Sequence, residues 1–174
     1  IRCQMSKHIP VLLKEIVQLL NPQSGGTFID ATVGPGGHAA AILNRTHPDG
    51  RLLALDQDED TLELARRRLS TDGSRAVFRH TNFTKIVEVA NEEGFSNVNG
   101  VVADLGVSSM MLDEPERGFS FQPNGPLDMR MDRSQPTTAS DIVNRMRERE
   151  LADLIYKFGE ERRSRPIARA IVRF

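Results

Sequence analysis

Residues 28–38 read "FIDATVGPGGH". A short apolar run, Phe28 and Ile29, ends in Asp30, and Gly34, Gly36 and Gly37 then crowd around Pro35 before an alanine-rich stretch. One glycine is enough for a turn, so three so close together predict a backbone that something approaches closely. The order of apolar run, glycine turn and helix former predicts a strand–turn–helix unit. Gly34-x-Gly36-x-x-Ala39 fits the relaxed nucleotide-binding fingerprint, and Asp56 follows where that fingerprint places an acid on a ribose. The competing reading is a tight turn with Asp56 capping the next helix.

Outward from this turn, apolar runs alternate with helical periodicity. "PVLLKEIVQLLNP" (10–22) predicts an amphipathic helix that Pro10 opens and Asn21-Pro22 ends. "TFIDAT" (27–32) predicts a strand and residues 37–44 a helix. "RLLALD" (51–56), "AVFRHT" (76–81) and "GVVADL" (100–105) predict three more strands. Asp58 caps a predicted helix running to Leu69, with Leu62, Ala65 and Leu69 on one face, and residues 84–93 form another. This alternation predicts an α/β fold with a parallel sheet and right-handed crossovers. Four strands are fewer than a doubly wound sheet normally has, so the chain is expected to stop before its architecture is complete.

Residues 106–136 show neither period. Pro115, Gly118, Pro123, Gly125, Pro126 and Pro136 punctuate them, yet Met110, Met111, Phe119, Phe121, Leu127, Met129 and Met131 make the region too apolar for disorder. A long aperiodic segment of this kind is expected to be functional. Beyond it, Thr138 with Asp141 predicts a capping box, a second helix stops at Gly159, and an arginine-rich helical stretch follows. The expected domains are a core over 1–112 and a helical domain over 113–174.

The chain has 174 residues and a net charge of −1, so any nucleic-acid surface must be local. Its single cysteine, Cys3, excludes an internal disulfide and suggests a reducing compartment. His8, His38, His47 and His80 are scattered without zinc spacing, and no metal is expected. No apolar run approaches the length of a membrane span, and the start lacks the apolar core of a secretory signal.

Asp30 discriminates between ligands. A dinucleotide lays a pyrophosphate over the turn, and a carboxylate four residues before Gly34 repels it. S-adenosylmethionine carries the adenosine without the phosphates, plus an ammonium and a sulfonium that Asp30 attracts. The alternative for Asp30 is a strand-end residue bonding the turn's own amides. In "ADLGVSS" (103–109), Asp104 ends the fourth strand where such sheets bind ligands, Gly106 permits close approach, and Ser108 and Ser109 offer hydroxyls. Here the alternative is an aspartate capping a turn.

"HIPVLL" (8–13), "DATVGPGGH" (30–38), "LDQD" (55–58), "DLGVSSMMLDEPERGFSF" (104–121), "GPLDMRMD" (125–132) and "FGEERRSRPIARAIV" (158–172) resemble the bacterial-type small-subunit ribosomal RNA cytosine-N4 methyltransferases. The resemblance runs from about His8 to the end of the chain. It implies a Rossmann-like class I methyltransferase core with an inserted helical domain, of which this chain is an amino-terminal portion. It further implies S-adenosylmethionine as cofactor, contacted by Gly36, Gly37, His38, Asp56, Phe83, Asp104 and position 111. Phe83 is otherwise open between adenine contact and core packing. Two departures stand out. Met110-Met111 replaces a common Pro-Gln, which removes a side-chain amide, and Pro166 either begins a helix or kinks one.

The implied target is the exocyclic amine of a cytidine, a poor nucleophile that must lose a proton as it attacks or after. Asp104 is the expected catalytic residue, accepting a hydrogen bond from that amine. A paired base is unreachable, so the target is single-stranded or flipped. Ser108, Ser109, Phe119 and Phe121 are candidates for its pocket, and Arg162 and Arg163 for phosphate contact. The bland alternatives are aromatics packing a domain junction and arginines pairing with Glu160 and Glu161. The expected partner is small-subunit ribosomal RNA or a ribosomal particle, with no membrane, and a homodimer is compatible with the sequence. The expected setting is cytoplasmic, or organellar in a eukaryote. Two other functions fit parts of the sequence: a nicotinamide-dependent oxidoreductase and a non-catalytic RNA-binding module.

Overall fold

Each predicted apolar run forms a strand of one parallel sheet. The computed structural model describes residues 10–121 and 124–173. Cys3, His8 and Pro123, which entered the sequence reading, lie outside the described residues. The strands are β1 (Thr27–Asp30), β2 (Arg51–Asp56), β3 (Ala76–His80) and β4 (Gly100–Val102), in the order β3-β2-β1-β4. Every neighbouring pair is parallel, with Asp30 level with Ala54 on β2 and Val102 on β4.

Side chains alternate across the sheet, and both faces of the central strands β1 and β2 are covered, so these two are apolar between their end residues. Phe28, Leu52 and Ala54 pack with Ala39, Ile42 and Leu43 of α2 (Gly37–Arg45) and Leu62 and Ala65 of α3 (Glu59–Arg68). Ile16 and Leu20 of α1 (Leu13–Leu20) join that cluster. Ile29, Leu53 and Leu55 point the other way, to Val89 and Ala90 of α4 (Ile86–Glu92) and to Phe95. The chain therefore builds outward from β1 to β3 along one face, then crosses back beneath the other face to place β4 beside β1. Strand order reverses between β1 and β4, and in open α/β sheets the ligand crevice lies outside the carboxyl ends at that reversal. This topology is that of a Rossmann-like core.

Local signals set the helix ends. Asp58 caps α3 as expected, its side chain accepting from the Asp60 amide at 3.1 Å. Asn21, with φ 45°, ends α1. Pro10 does not open that helix. Leu12 precedes α1 with φ 50°, and residues 10–12 form a separate short strap.

The chain divides into two compact units, Ile1–Gly106 and Val107–Phe174, so residues 107–112 go with the second unit. That unit holds α5 (Ser109–Asp113), α6 (Ala139–Arg145), α7 (Glu148–Gly159) and α8 (Ser164–Val172). The Thr138–Asp141 capping box opens α6. Leu151, Ala152 and Ala168 form a small core, with Met146, Ile155 and Ile171 against it. Pro166 sits in the first turn of α8, where its missing N–H leaves no helical bond unmade, so it begins a helix rather than kinking one.

The aperiodic segment is held by side chains instead of a backbone ladder. Buried Arg117 donates from Nη2 to the carbonyls of Arg130 (3.2 Å) and Met131 (3.0 Å). Arg130 forms a two-point pair with Asp128, Nε to Oδ1 at 2.8 Å and Nη2 to Oδ2 at 2.7 Å, and also donates to the Arg133 and Gln135 carbonyls. That guanidinium bond holds the Asp128 carboxyl down at about 2. Among the described residues no helix is long and apolar enough to cross a membrane.

Candidate cofactor and catalytic site

The glycine turn leaves β1 at its carboxyl end and enters α2. The Ala31 amide donates to the Val102 carbonyl and the Val33 amide to the Leu55 carbonyl, both at 2.8 Å, which anchors the turn to both neighbouring strands. Gly34 and Gly36 take φ of 55° and 82°, a region side chains disfavour. Two of the three glycines serve close approach within the chain itself. A Cβ on Gly36 would sit 3.4 Å from Ala65 of α3, and one on Gly37 would overlap the Pro10 ring. At Gly34 a Cβ would meet nothing nearer than the Thr32 carbonyl at 3.9 Å, so this is where the backbone is open to a ligand.

Asp56 pins the turn. Its Oδ2 accepts from the Gly34 amide at 2.9 Å and its Oδ1 from the Asp58 amide at 3.0 Å. Each oxygen keeps a second lone pair, so the half-buried carboxylate can still accept from a ribose hydroxyl. Burial raises its pKa, against the pull of the Asp58 and Gly34 amides.

Asp30 is 1 % exposed. Its Oδ1 accepts from the Thr32 amide at 3.2 Å, while its buried Oδ2 has no hydrogen-bond partner among the described residues. Burial pushes this carboxyl up to about 7, and the charges of Asp56 and Asp104 push the same way, against the Thr32 amide. Asp104 is exposed, and its amide donates to Thr32 Oγ1 at 2.7 Å. Thr32 thus ties the exit of β1 to the exit of β4. Sequence reasoning passed over it, although a hydroxyl between the strand-end acid and the glycines was a readable signal.

His38 is buried, and its Nε2–H donates to the Val11 carbonyl at 2.9 Å. The ring therefore fastens the 10–12 strap across the entrance of α2. Phe83 follows β3 in a short 3-10 turn and is 40 % exposed, too open for a core residue. Asn82 beside it donates to Gln57 Oε1 at 2.7 Å, which joins the ends of β3 and β2.

In the first unit, then, Asp30, Gly34, Asp56 and Asp104 gather at the carboxyl ends of β1, β2 and β4. His38 is committed to the strap. The other candidate residues belong to the second unit. Met111 is buried within α5, and its amide donates to Ser108 Oγ at 3.2 Å, so Ser108 caps the helix that Ser109 begins. Phe119 is half-buried and Phe121 fully exposed. Arg162 and Arg163 are exposed ahead of α8, with the Arg163 amide on Glu161 Oε1 at 2.7 Å.

Three carboxylates around one turn decide what the first-unit site can hold. A pyrophosphate there would meet unfavourable charge from Asp56 and Asp104, and buried Asp30 offers it no positive partner. A nucleoside that carries positive charge and no phosphate fits: acceptors for its hydroxyls on Asp56, open backbone at Gly34, and an unpartnered buried oxygen on Asp30. S-adenosylmethionine has that chemistry.

The chain matches the MraW methylase family over residues 5–174. It is 52 % identical over 166 residues to a ribosomal RNA small subunit methyltransferase H of Symbiobacterium thermophilum, covering 95 % of this chain and 52 % of that one. The enzyme of the same name from Carboxydothermus hydrogenoformans is 51 % identical, with 95 % and 53 % covered. The chain thus spans about half the length of the curated relatives it matches. Among solved structures, a protein-L-isoaspartate O-methyltransferase is similar over 55 % of this chain and 29 % of that one, with TM-score 0.46 and 17 % identity, and adds nothing to the topology above. Taken with the strand order and the glycine turn, the match over residues 5–174 means that the chain belongs to the MraW methylase family.

Proposed function

We propose that the protein is an S-adenosylmethionine-dependent methyltransferase acting on the exocyclic N4 of a cytidine in small-subunit ribosomal RNA. The observation that carries this reading is the set of Asp30, Asp56 and Asp104 around the glycine turn of a MraW-family chain. The relatives' names support ribosomal RNA as substrate, and their bacterial sources support a cytoplasmic setting.

S-adenosylmethionine, when bound, supplies a methyl group on a positively charged sulfur. The chain's own residues bind and orient. Asp56 receives the ribose hydroxyls, and the open backbone at Gly34 lies against the cofactor. Phe83 offers an aromatic face to the adenine. Asp104 accepts a hydrogen bond from the cytidine amine, and the carbonyl of Leu105 accepts the second N–H, leaving the nitrogen lone pair free to attack. Orientation of this kind recovers roughly 7–11 kcal/mol of a bimolecular barrier. Asp104 is exposed and needs no covalent intermediate to play this part. Phe119 and Phe121 hold the unpaired base, and Arg162 and Arg163 hold its phosphates.

The test is transfer itself. The intact protein, given labelled S-adenosylmethionine and small-subunit particles or naked ribosomal RNA, should yield N4-methylcytidine by nucleoside mass spectrometry. A protein that binds NAD and ignores S-adenosylmethionine in calorimetry would overturn the reading in favour of an oxidoreductase. One that binds RNA and transfers nothing would reduce it to a binding module.

A further inference from the structure

Asp30 is placed unlike either of its acidic neighbours. Asp56 accepts two backbone amides and Asp104 reaches solvent, whereas Asp30 is 1 % exposed and offers a buried oxygen that no described group bonds. Its one bond, from the Thr32 amide, is long at 3.2 Å. A buried carboxylate with one donor and two acids nearby is costly to keep ionised. Among the described residues, the ionisable groups bearing on it are Asp56 at the end of β2 and Asp104 beyond β4. On the helices packed against the same face, α2 carries His38, whose ring is turned to the Val11 carbonyl, and Arg45 in its last turn, and α1 carries Lys14 and Glu15. On α3 stand Glu59 and Asp60 in the first turn and Arg66, Arg67 and Arg68 in the last, with Arg66 and Arg67 paired to Glu59 and Glu63. None of these supplies a compensating positive charge next to it.

We propose that Asp30 is a neutral carboxylic acid in the free protein and gives up its proton to solvent when a cationic methyl donor docks over the glycine turn, so that donor binding is proton-linked. This rests on the proposed function and adds a regulation of the same site. Buried Asp30 acts through its field, not by touching the ligand. The exchange balances: the donor brings positive charge, the carboxyl O–H breaks, and one proton leaves to buffer. The carboxyl's elevated range, about 7, sets the window. Below it the acid is protonated and donor binding must expel a proton; above it the charge is already in place.

The experiment is calorimetry of the intact protein with S-adenosylmethionine near pH 6, in two buffers of different ionisation enthalpy. Close to one proton (about 0.9) should leave per donor bound, and the affinity should rise about fivefold between pH 6 and pH 7. The donor's own α-amino group titrates near 8, above that window. Asp30→Asn, nearly the same shape and never charged, should bind with no proton release and a flat pH profile. Donor binding by the wild type with no buffer dependence and no pH dependence overturns the inference and leaves the proposed function standing. Equal proton release by wild type and Asp30→Asn also overturns it. No donor binding at any pH strikes the proposed function itself.

Discussion

At the scale of single residues, the site is a division of labour among three aspartates. Asp104 is the exposed one, its backbone tied to Thr32, and under the proposed function it is the one that meets substrate. Asp104→Asn keeps the shape and removes the charge that accepts from the amine. It should lower kcat by about 10²- to 10³-fold, the usual worth of one positioned electrostatic contact in a transition state, with RNA binding unchanged, as read by labelled methyl incorporation beside a filter-binding assay. Asp30 and Asp128 bear on stability with opposite signs. The folded value for Asp30, about 7, lies above its ordinary 3.8, so folding takes up a proton between them. Its contribution is greatest below pH 3.8 and fades as the pH rises through about 7. Asp30→Asn should therefore gain on the wild type in thermal melts as the pH climbs through that range, by a ceiling on the order of 4 kcal/mol. Asp128, held at about 2 by Arg130, helps above 3.8 and loses that effect as the pH falls through about 2. Which acids stand at the strand ends was readable in the sequence, because fingerprint spacing is local. That Asp30 is sealed in and Asp104 is not depends on how β4 lies against β1, which no local pattern carries.

At the scale of elements, the strands were legible because each is a short apolar run and both faces of the central two are covered. The alternation with helices then fixed a parallel sheet. Two elements were not legible. Residues 10–12 read as the start of α1 because Pro10 suits a first helical turn, but the structure uses them as a strap over the glycine turn. Their partner His38 is 27 residues away, beyond any window of periodicity. Residues 114–121 and 124–136 are ordered by Arg117 and Arg130 bonding backbone carbonyls, and such bonds leave no repeat. The strap gives a prediction at this scale. Gly37→Ala would drive its methyl into Pro10 and must displace the strap or the turn. We expect a loss of about 1–3 kcal/mol in chemical unfolding, the range for overpacking, with weaker donor binding. Unchanged stability and affinity would show that the close fit of Gly37 to Pro10 is not needed.

At the scale of the whole molecule, the near-zero net charge hides a segregation. Acids cluster at the strand ends of the first unit, and arginines crowd the chain around α8 in the second. Under the proposed function, a cationic donor and an anionic nucleic acid therefore call on different parts of the sequence. Replacing Arg162 and Arg163 together by alanine should weaken RNA binding and make the slope of log affinity against log salt shallower by about 0.7–0.9 for each phosphate left without its arginine. Donor affinity should not move. An unaltered salt slope would assign these arginines to solvated surface.

The imidazole of His38 carries one more consequence. A ring N–H buried against a carbonyl 2.9 Å away is shielded from exchange with water, so it should give a resolved, downfield proton resonance in NMR without any label. That signal sits at the doorstep of the donor crevice and belongs to one identifiable nitrogen. It should shift or sharpen as donor is titrated in, and vanish in His38→Ala, turning a structural fastening into a spectroscopic gauge of occupancy.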